Sequence, residues 1–304
     1  METGRNARNA RKLANTLVVG EDDNKDSKKQ DKVKKVRRGG KRIKNKMKKF
    51  KVLYMNLRGL KSKKKSIQEI IEEEKPTLIA FVETLLEEKE EIKLEGYKVI
   101  VPDEKGSRGI LIAVNEDLKN ITSVVMEDRE QGEQMWVQII NGQISIRVGL
   151  VYAPQESRTK VKELREMYKK IEDQVNKGKE KNQKVMLLGD LNCKIGKEIK
   201  GNSLQVSKGG RLLLKLVDKM NMKIINAHPK CRGLWTRVEG ATRSVIDYVL
   251  VNKEHAESVE EMEIDEEREI TPYSQGPNGE RTYTDHNTIK VNMNWRTTSI
   301  IENK

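Results

Sequence analysis

KVMLLGDLN, residues Lys184–Asn192, sets Val185, Met186, Leu187 and Leu188 side by side and then turns polar. A strand with one wet face alternates apolar and polar residues. An unbroken apolar run that ends in polar residues reads instead as a strand covered on both faces. The same pattern recurs along the chain. FKVLYMNL (Phe50–Leu57) ends at Arg58-Gly59, TLIAFVET (Thr77–Thr84) ends on Glu83, and QISIRVGLVYAP (Gln143–Pro154) ends in Tyr152-Ala153-Pro154. SVIDYVLV (Ser244–Val251) carries Asp247 inside an apolar run, and Asp285-His286 opens an alternating strand over Asn287–Asn294. Shorter strands are expected at Lys98–Pro102, Gly109–Val114, Ile121–Met126, Met135–Ile140 and Lys223–Asn226. Ser62–Glu74, Ser157–Val175 and Gly210–Met222 show helical spacing, the first closed by Pro76. Strands outnumber helices, and several follow one another with no helix between them. That pattern disfavours a doubly wound parallel sheet and predicts two mixed or antiparallel sheets with helices outside, in one domain from Phe50 to Trp295.

Composition sets the outer bounds. The chain has 304 residues, of which 35% are hydrophobic and 36% charged, enough apolar material to bury a core. No apolar run approaches the ~20 residues that a membrane span needs, and Met1–Gly20 has no continuous apolar stretch of the secretory type. Cys193 and Cys231 are too few for a disulfide scaffold, so a reducing, intracellular setting is expected. The net charge of +14 is unevenly placed. Met1–Lys49 holds 18 Lys/Arg against 6 Asp/Glu, and the rest holds 43 against 41. Residues 1–49 are therefore expected to be a disordered basic arm and 296–304 a tail. The run KKVRRGGKRIKNKMKK (Lys34–Lys49) reads as a phosphate contact, a nuclear address or a solvated charge run.

The polar strand ends carry the chemistry. Asn56, Glu83, Tyr152, Asp190, Asn192, Asp285 and His286 sit at or beside expected strand ends, Asp247 lies within one expected strand, and polar strand ends of a packed sheet often converge on one rim. Carboxylates and amides gathered there form an oxygen-rich site suited to Mg²⁺ or Mn²⁺. His228 and His255 lack a thiolate or HxxxH partner, which disfavours zinc. Asp247 among Ile, Val and Leu needs a partner, either an orienting bond to His286 or a structural salt bridge.

In order and spacing, NLRGL (Asn56–Leu60), Glu83-Thr84, RGILIAV (Arg108–Val114), VYAP (Val151–Pro154), LLGDLN (Leu187–Asn192), SVIDYVLV and TDHN (Thr284–Asn287) resemble the endonuclease/exonuclease/phosphatase family. Within it they look most like the apurinic-type endonuclease domains of non-LTR retrotransposons, a likeness that Trp235-Thr236 shares. The resemblance implies an α/β, DNase I-like four-layer sandwich, two packed mixed β-sheets flanked by helices. It implies Mg²⁺-dependent phosphodiester hydrolysis, with Mn²⁺ as a substitute, acting on DNA or alternatively RNA. No membrane and no obligate protein partner is implied, and a nuclear location is expected. By residue, Glu83, Asn56 and Asp285 would hold the metal. Asp190 would position and deprotonate the attacking water, and Asn192 would orient that water or the phosphate. Tyr152 would donate to a phosphate oxygen, and His286, held by Asp247, would stabilise the pentacovalent charge. Arg58, Gln155 and Thr236 are the candidate phosphate or nucleic-acid contacts. Arg58 stands where cellular abasic-site enzymes carry an acid, and Gln155 where they carry Asn, so abasic-site specificity is not implied. Thr284 replaces a commoner Ser. The sequence contains no Tyr-x-Asp-Asp, so a stand-alone domain, an element fragment or a domesticated descendant is expected. Two other readings are a family esterase acting on a small phosphate ester and a decayed nucleic-acid-binding protein.

Overall fold

The computed structural model describes residues 49–87, 91–102, 109–117, 124–125, 133–141, 144–157, 160–199 and 204–294. The expected arm, apart from Lys49, and the expected tail lie outside the described residues. In chain order the strands are β1 (Lys49–Asn56), β2 (Leu78–Val82), β3 (Tyr97–Ile100), β4 (Ile110–Asn115), β5 (Val124–Val125), β6 (Glu133–Asn141), β7 (Ile144–Tyr152) and β8 (Lys184–Asp190). They continue with β9 (Met222–Ile224), β10 (Cys231–Arg232), β11 (Arg237–Glu239), β12 (Thr242–Ser244), β13 (Asp247–Asn252), β14 (Val259–Ile264), β15 (Tyr273–Gln275), β16 (Arg281–Tyr283) and β17 (Ile289–Asn294). The helices are α1 (Lys64–Glu74), α2 (Val161–Glu180) and α3 (Lys208–Lys219).

One sheet runs β10-β14-β17-β1-β2-β4-β3 and the other β5-β6-β7-β8-β13-β9. Both are mixed: β1 pairs with β2, β7 with β8 and β10 with β14 in parallel, and the remaining neighbours are antiparallel. The period of two along each strand assigns residues to layers. Phe50, Val52 and Tyr54 of β1, with Leu78, Ala80 and Val82 of β2, face the other sheet. Leu53, Met55, Ile79 and Phe81 face outward onto Ile67, Ile70 and Ile71 of α1. Val185 and Leu187 of β8 face α2 and α3, meeting Leu164, Ile171, Leu213 and Leu216. The result is four layers, helix, sheet, sheet and helices, as the sequence predicts. No helix among the described residues is long and apolar enough to cross a membrane.

Three departures from the sequence reading have physical causes. The acidic stretch after Val251 hides β14, whose Val259, Met262 and Ile264 are buried while its glutamates point outward. A bulge between Val259 and Glu261 breaks the alternation that would have exposed it. The run Ser244–Val251 is not one strand. It is interrupted at Val245-Ile246, where the Ile246 and Asp247 N–H groups each donate to Thr236 Oγ1 at 3.1 Å. Finally, α2 continues past Val175 to Glu180, with Gly178 buried against the sheet and Lys177 and Lys179 in its last turn, where cations suit the helix dipole.

An ionic cluster ties α1 to the strands. Glu74, at the end of α1, accepts from Lys51 Nζ at 2.7 Å and from Lys290 Nζ at 3.2 Å. Burial raises the Glu74 pKa, but the two ammonium groups more than offset this and hold it below the usual glutamate value. A depressed folded-state pKa contributes stability above the unfolded pKa, and that contribution is lost as pH falls through the folded one. Glu74→Gln is therefore expected to lower the melting temperature by a few degrees at neutral pH. Melting curves of the two proteins should converge as the pH drops below the carboxylate range.

Candidate active site

The topology delivers the polar strand ends to one rim. Because β1 and β2 are parallel with Asn56 opposite Val82, Asn56 and the next residue of the second strand, Glu83, emerge together. Glu83 has φ +54°, a left-handed conformation that costs on the order of 1–3 kcal/mol for a non-glycine residue. The loop is pinned there by Gly59 N–H to Glu83 O at 2.8 Å and Leu60 N–H to Thr84 O at 3.0 Å. β7 and β8 are parallel with Tyr152 opposite Asp190, and the antiparallel β13 brings in Asp247 opposite Asp190. Gly189 is obligatory at this crossing, since its φ is +147° and a Cβ there would lie 1.8 Å from Val151 O. His286 is set by a β-bridge to Arg237 and by Asn287 N–H donating to Thr236 O at 2.8 Å.

Within the rim, Asn56 Nδ2 donates to Glu83 Oε1 at 3.1 Å and lies 3.4 Å from Asp190 Oδ2. The Tyr152 hydroxyl donates to Glu83 Oε1 at 3.0 Å. Asp190 Oδ1 accepts from the Asn192 N–H at 2.9 Å, and Asn192 Nδ2 donates to Ala153 O at 2.7 Å. His286 Nδ1 donates to Asp247 Oδ2 at 2.9 Å, and the Tyr54 hydroxyl donates to Asp247 Oδ1 at 2.6 Å. His286 Nε2 lies 3.9 Å from Asp190 Oδ2. Burial alone would lower the His286 pKa, but Asp247, then Asp190 and Asp285, raise it to about 9. Burial and the Asp247 charge push the Asp190 carboxyl well above the usual range. Burial, with Asp247 next, raises the Tyr54 hydroxyl, so it stays a donor.

Arg58, Glu83, Tyr152, Gln155, Asp190, Asn192, Asp285 and His286 line one cleft of about 300 Å³, and Asn56 and Asp247 lie buried at the same rim. Two residues depart from the expectation. Thr236 is fully buried, and its hydroxyl oxygen serves the Ile246 and Asp247 N–H groups, so it has no face toward a phosphate. Asp285 accepts from Arg58 Nη1 at 3.2 Å and from Arg237 Nε at 2.8 Å, one guanidinium on each oxygen, rather than joining Asn56 and Glu83. The sequence reading missed Arg237, Leu85, Ile246 and Tyr54. Arg237 had no signal among 61 basic residues, and Tyr54 looked like an ordinary strand aromatic.

Asp190, Asp247 and His286 each offer an atom within 4.8 Å of the others, a spacing that a metal ion also satisfies. A hydrogen-bonded relay describes them better, because His286 Nδ1 is committed to Asp247 and a protonated ring has no lone pair to give. The oxygen set at Asn56 and Glu83 fits a hard cation. Asn56 Oδ1 is buried with no hydrogen-bond partner, a costly state that an ion beside the Glu83 carboxylate relieves.

Residues 53–286, well over half of the chain, match the family described as Endonuclease/Exonuclease/phosphatase family. The chain belongs to that family. Members of the endonuclease/exonuclease/phosphatase family generally depend on divalent metals. Among solved structures, this family member is similar to the endonuclease domain of TRAS1, a telomere-specific non-LTR retrotransposon. The two are 15% identical, the match covers 82% of this chain and 100% of that one, and the TM-score is 0.59. It is similar also to a variant of the 3′ phosphatase NExo from Neisseria bound to product DNA hairpin, at 16% identity, 81% and 100% coverage and TM-score 0.64. An AP endonuclease from Archaeoglobus fulgidus matches at 17% identity, 80% and 98% coverage and TM-score 0.61. At these identities the likeness is one of fold, a phosphoesterase fold with nucleases among its structural neighbours. No curated protein sequence matches the chain.

Proposed function

We propose that the protein is a divalent-metal-dependent phosphodiesterase that nicks DNA, of the kind carried by non-LTR retrotransposons. One observation carries the reading: an unpartnered amide oxygen beside a carboxylate, Asn56 and Glu83, shares a rim with Asp190 and the His286–Asp247 pair. Asn56 and Glu83 hold the cation. When bound, it supplies positive charge against the phosphate oxygens on which negative charge builds. Asp190 Oδ2 takes the proton of the attacking water, since Oδ1 is committed to the Asn192 N–H. Asn192 Nδ2 is spent on Ala153 O, which leaves Oδ1 to orient that water. Tyr152 exchanges its bond to Glu83 for one to a phosphate oxygen. His286, charged at neutral pH and fixed through Nδ1, turns Nε2–H toward an oxygen of the pentacovalent phosphate, where negative charge builds. Arg58 and Gln155 contact flanking phosphates from the cleft wall. The basic arm of residues 1–49 serves as a nuclear address or DNA grip outside the domain of residues 50–295.

The test is conversion of supercoiled plasmid to open circle with Mg²⁺ or Mn²⁺ and none with EDTA. Purified protein inert with both metals overturns the reading, and release of phosphate from small esters alone moves it to another substrate class. Glu83→Gln is expected to raise the Mg²⁺ concentration for half-maximal nicking by at least about 10-fold, the lower end of what ligand-supporting groups cost. An unchanged Mg²⁺ requirement would place the metal elsewhere.

A further inference from the structure

On the outer face of the second sheet, α2 and α3 pack side by side and leave a groove of about 360 Å³. Its lining is Val161, Arg165, Lys208, Arg211, Leu212 and Lys215, four basic residues and no acidic one. On α3 the spacing 208, 211, 215 places three cations on one stripe, and on α2 Arg165 lies one turn from Val161. All four cations are exposed, and Leu212 and Val161 form a half-buried floor. Among the described residues, Arg165, Arg211 and Lys215 have no acidic partner within ion-pair distance. Lys208 lies beside Glu156, whose carboxylate is occupied by the Lys208 and Gly209 N–H groups at 3.1 and 3.2 Å. Farther along the helix pair, Lys219 and Glu172 are ion-paired. Unpaired cations gathered in one groove are notable in a region that outside the arm holds 43 basic and 41 acidic residues.

The groove starts at Lys208, one residue after Ser207, which lines a hollow that adjoins the candidate active site. Lys194 follows two residues after Asn192 and is bonded both ways to Ser207, the N-cap of α3, through Lys194 N–H to Ser207 Oγ at 3.2 Å and Ser207 N–H to Lys194 O at 2.9 Å. A hollow of about 490 Å³ lies at this junction, sharing Gln155, Asn192, Arg237 and Ile246 with the cleft and reaching Lys194, Ser207 and Glu156, the carboxylate held by the Lys208 and Gly209 N–H groups. We propose that the α2/α3 groove is a second phosphate track, gripping the backbone of the nucleic-acid strand that leaves the cleft past Gln155 and Lys194. Lys208 to Lys215 covers about 10 Å of helix, the rise of about three nucleotides on one strand. Arginine offers the planar fork that phosphate oxygens accept. The inference rests on the reading of the cleft as a nucleic-acid site, and it extends the footprint beyond the residues that perform the reaction.

The experiment measures binding of a duplex of about 30 base pairs to the full-length protein in EDTA, by anisotropy across a salt series. The proteins are wild type, Arg165→Gln and the double variant Arg211→Gln/Lys215→Gln, with melting curves to establish folding. The arm contributes equally to all of them. Each lost phosphate contact is expected to reduce the slope of log K against log salt by about 0.9, so the double variant loses about 1.8. Arg211→Lys/Lys215→Arg, which keeps both charges, is expected to restore the slope. Unchanged affinity and slope in both Gln variants overturn the track, and leave the groove to an acidic protein instead. The two readings fail separately. If wild type nicks plasmid but the slopes are equal, the track falls alone; if nothing nicks but the slopes differ, the nicking activity falls while the cleft and track remain a nucleic-acid-binding surface.

Discussion

Asp190→Asn is expected to lower the nicking rate by about 10²–10⁴-fold, the range that general-base catalysis contributes. The substitution preserves shape and keeps an oxygen for the Asn192 N–H, so the loop after β8 retains its turn. It removes the proposed proton acceptor and one of the carboxylates facing His286. Asp190 is buried beside Asp247, and burial together with that neighbour raises its carboxyl, which makes it a stronger base than an exposed aspartate. The loss should fall on kcat, with duplex affinity in EDTA equal to wild type or better, since a buried carboxylate facing phosphate is gone. Single-turnover nicking with matched binding curves checks both parts. Full activity in Asp190→Asn would remove Asp190 from the reaction.

The second large effect belongs to the His286–Asp247 pair. His286→Gln is expected to lower the rate by about 10²–10³-fold, comparable to deleting one preorganised donor at a developing oxyanion. Asp247→Asn keeps an oxygen for Tyr54 while withdrawing the charge that orients and supports the imidazolium. If Asp247 acts through His286, the double variant is no slower than His286→Gln alone, because neither change has an effect once the other is made. Additive losses would instead mean that Asp247 contributes independently, through Tyr54 or the β8–β13 pairing. Thermal melts accompany the kinetics, since an unpaired charge at a fully buried position is destabilising in its own right.

The strands with the longest apolar runs were legible from the sequence because burial on both faces forces near-continuous apolar composition. FKVLYMNL, TLIAFVET and KVMLLGDLN all became strands within a residue or two of the expected limits. β14 was not, because its glutamates dominate local composition and its bulge breaks the period. The interruption of SVIDYVLV at Val245-Ile246 was invisible, since the hydroxyl that holds it comes from Thr236, ten residues upstream. Candidate site residues were readable as chemistry at strand ends, but their partners were not. Arg237 competes for Asp285 only because β11 lies across the segment before β17.

The sequence by itself determined the strands buried on both faces, which faces are apolar, and that carboxylates, amides and one imidazole stand at or near strand ends. These properties have periods of two and 3.6 residues and are written locally. Only the tertiary structure decided the pairings: Tyr54 with Asp247 across 193 residues, Asn56 with Asp190 across 134, and Asp285 with arginines instead of Glu83. Such pairings depend on strand order and register in two stacked sheets, where a slip of one residue turns each side chain to the opposite face. No local pattern encodes that, which is why Thr236 resembled a ligand contact and proved to be a buried brace.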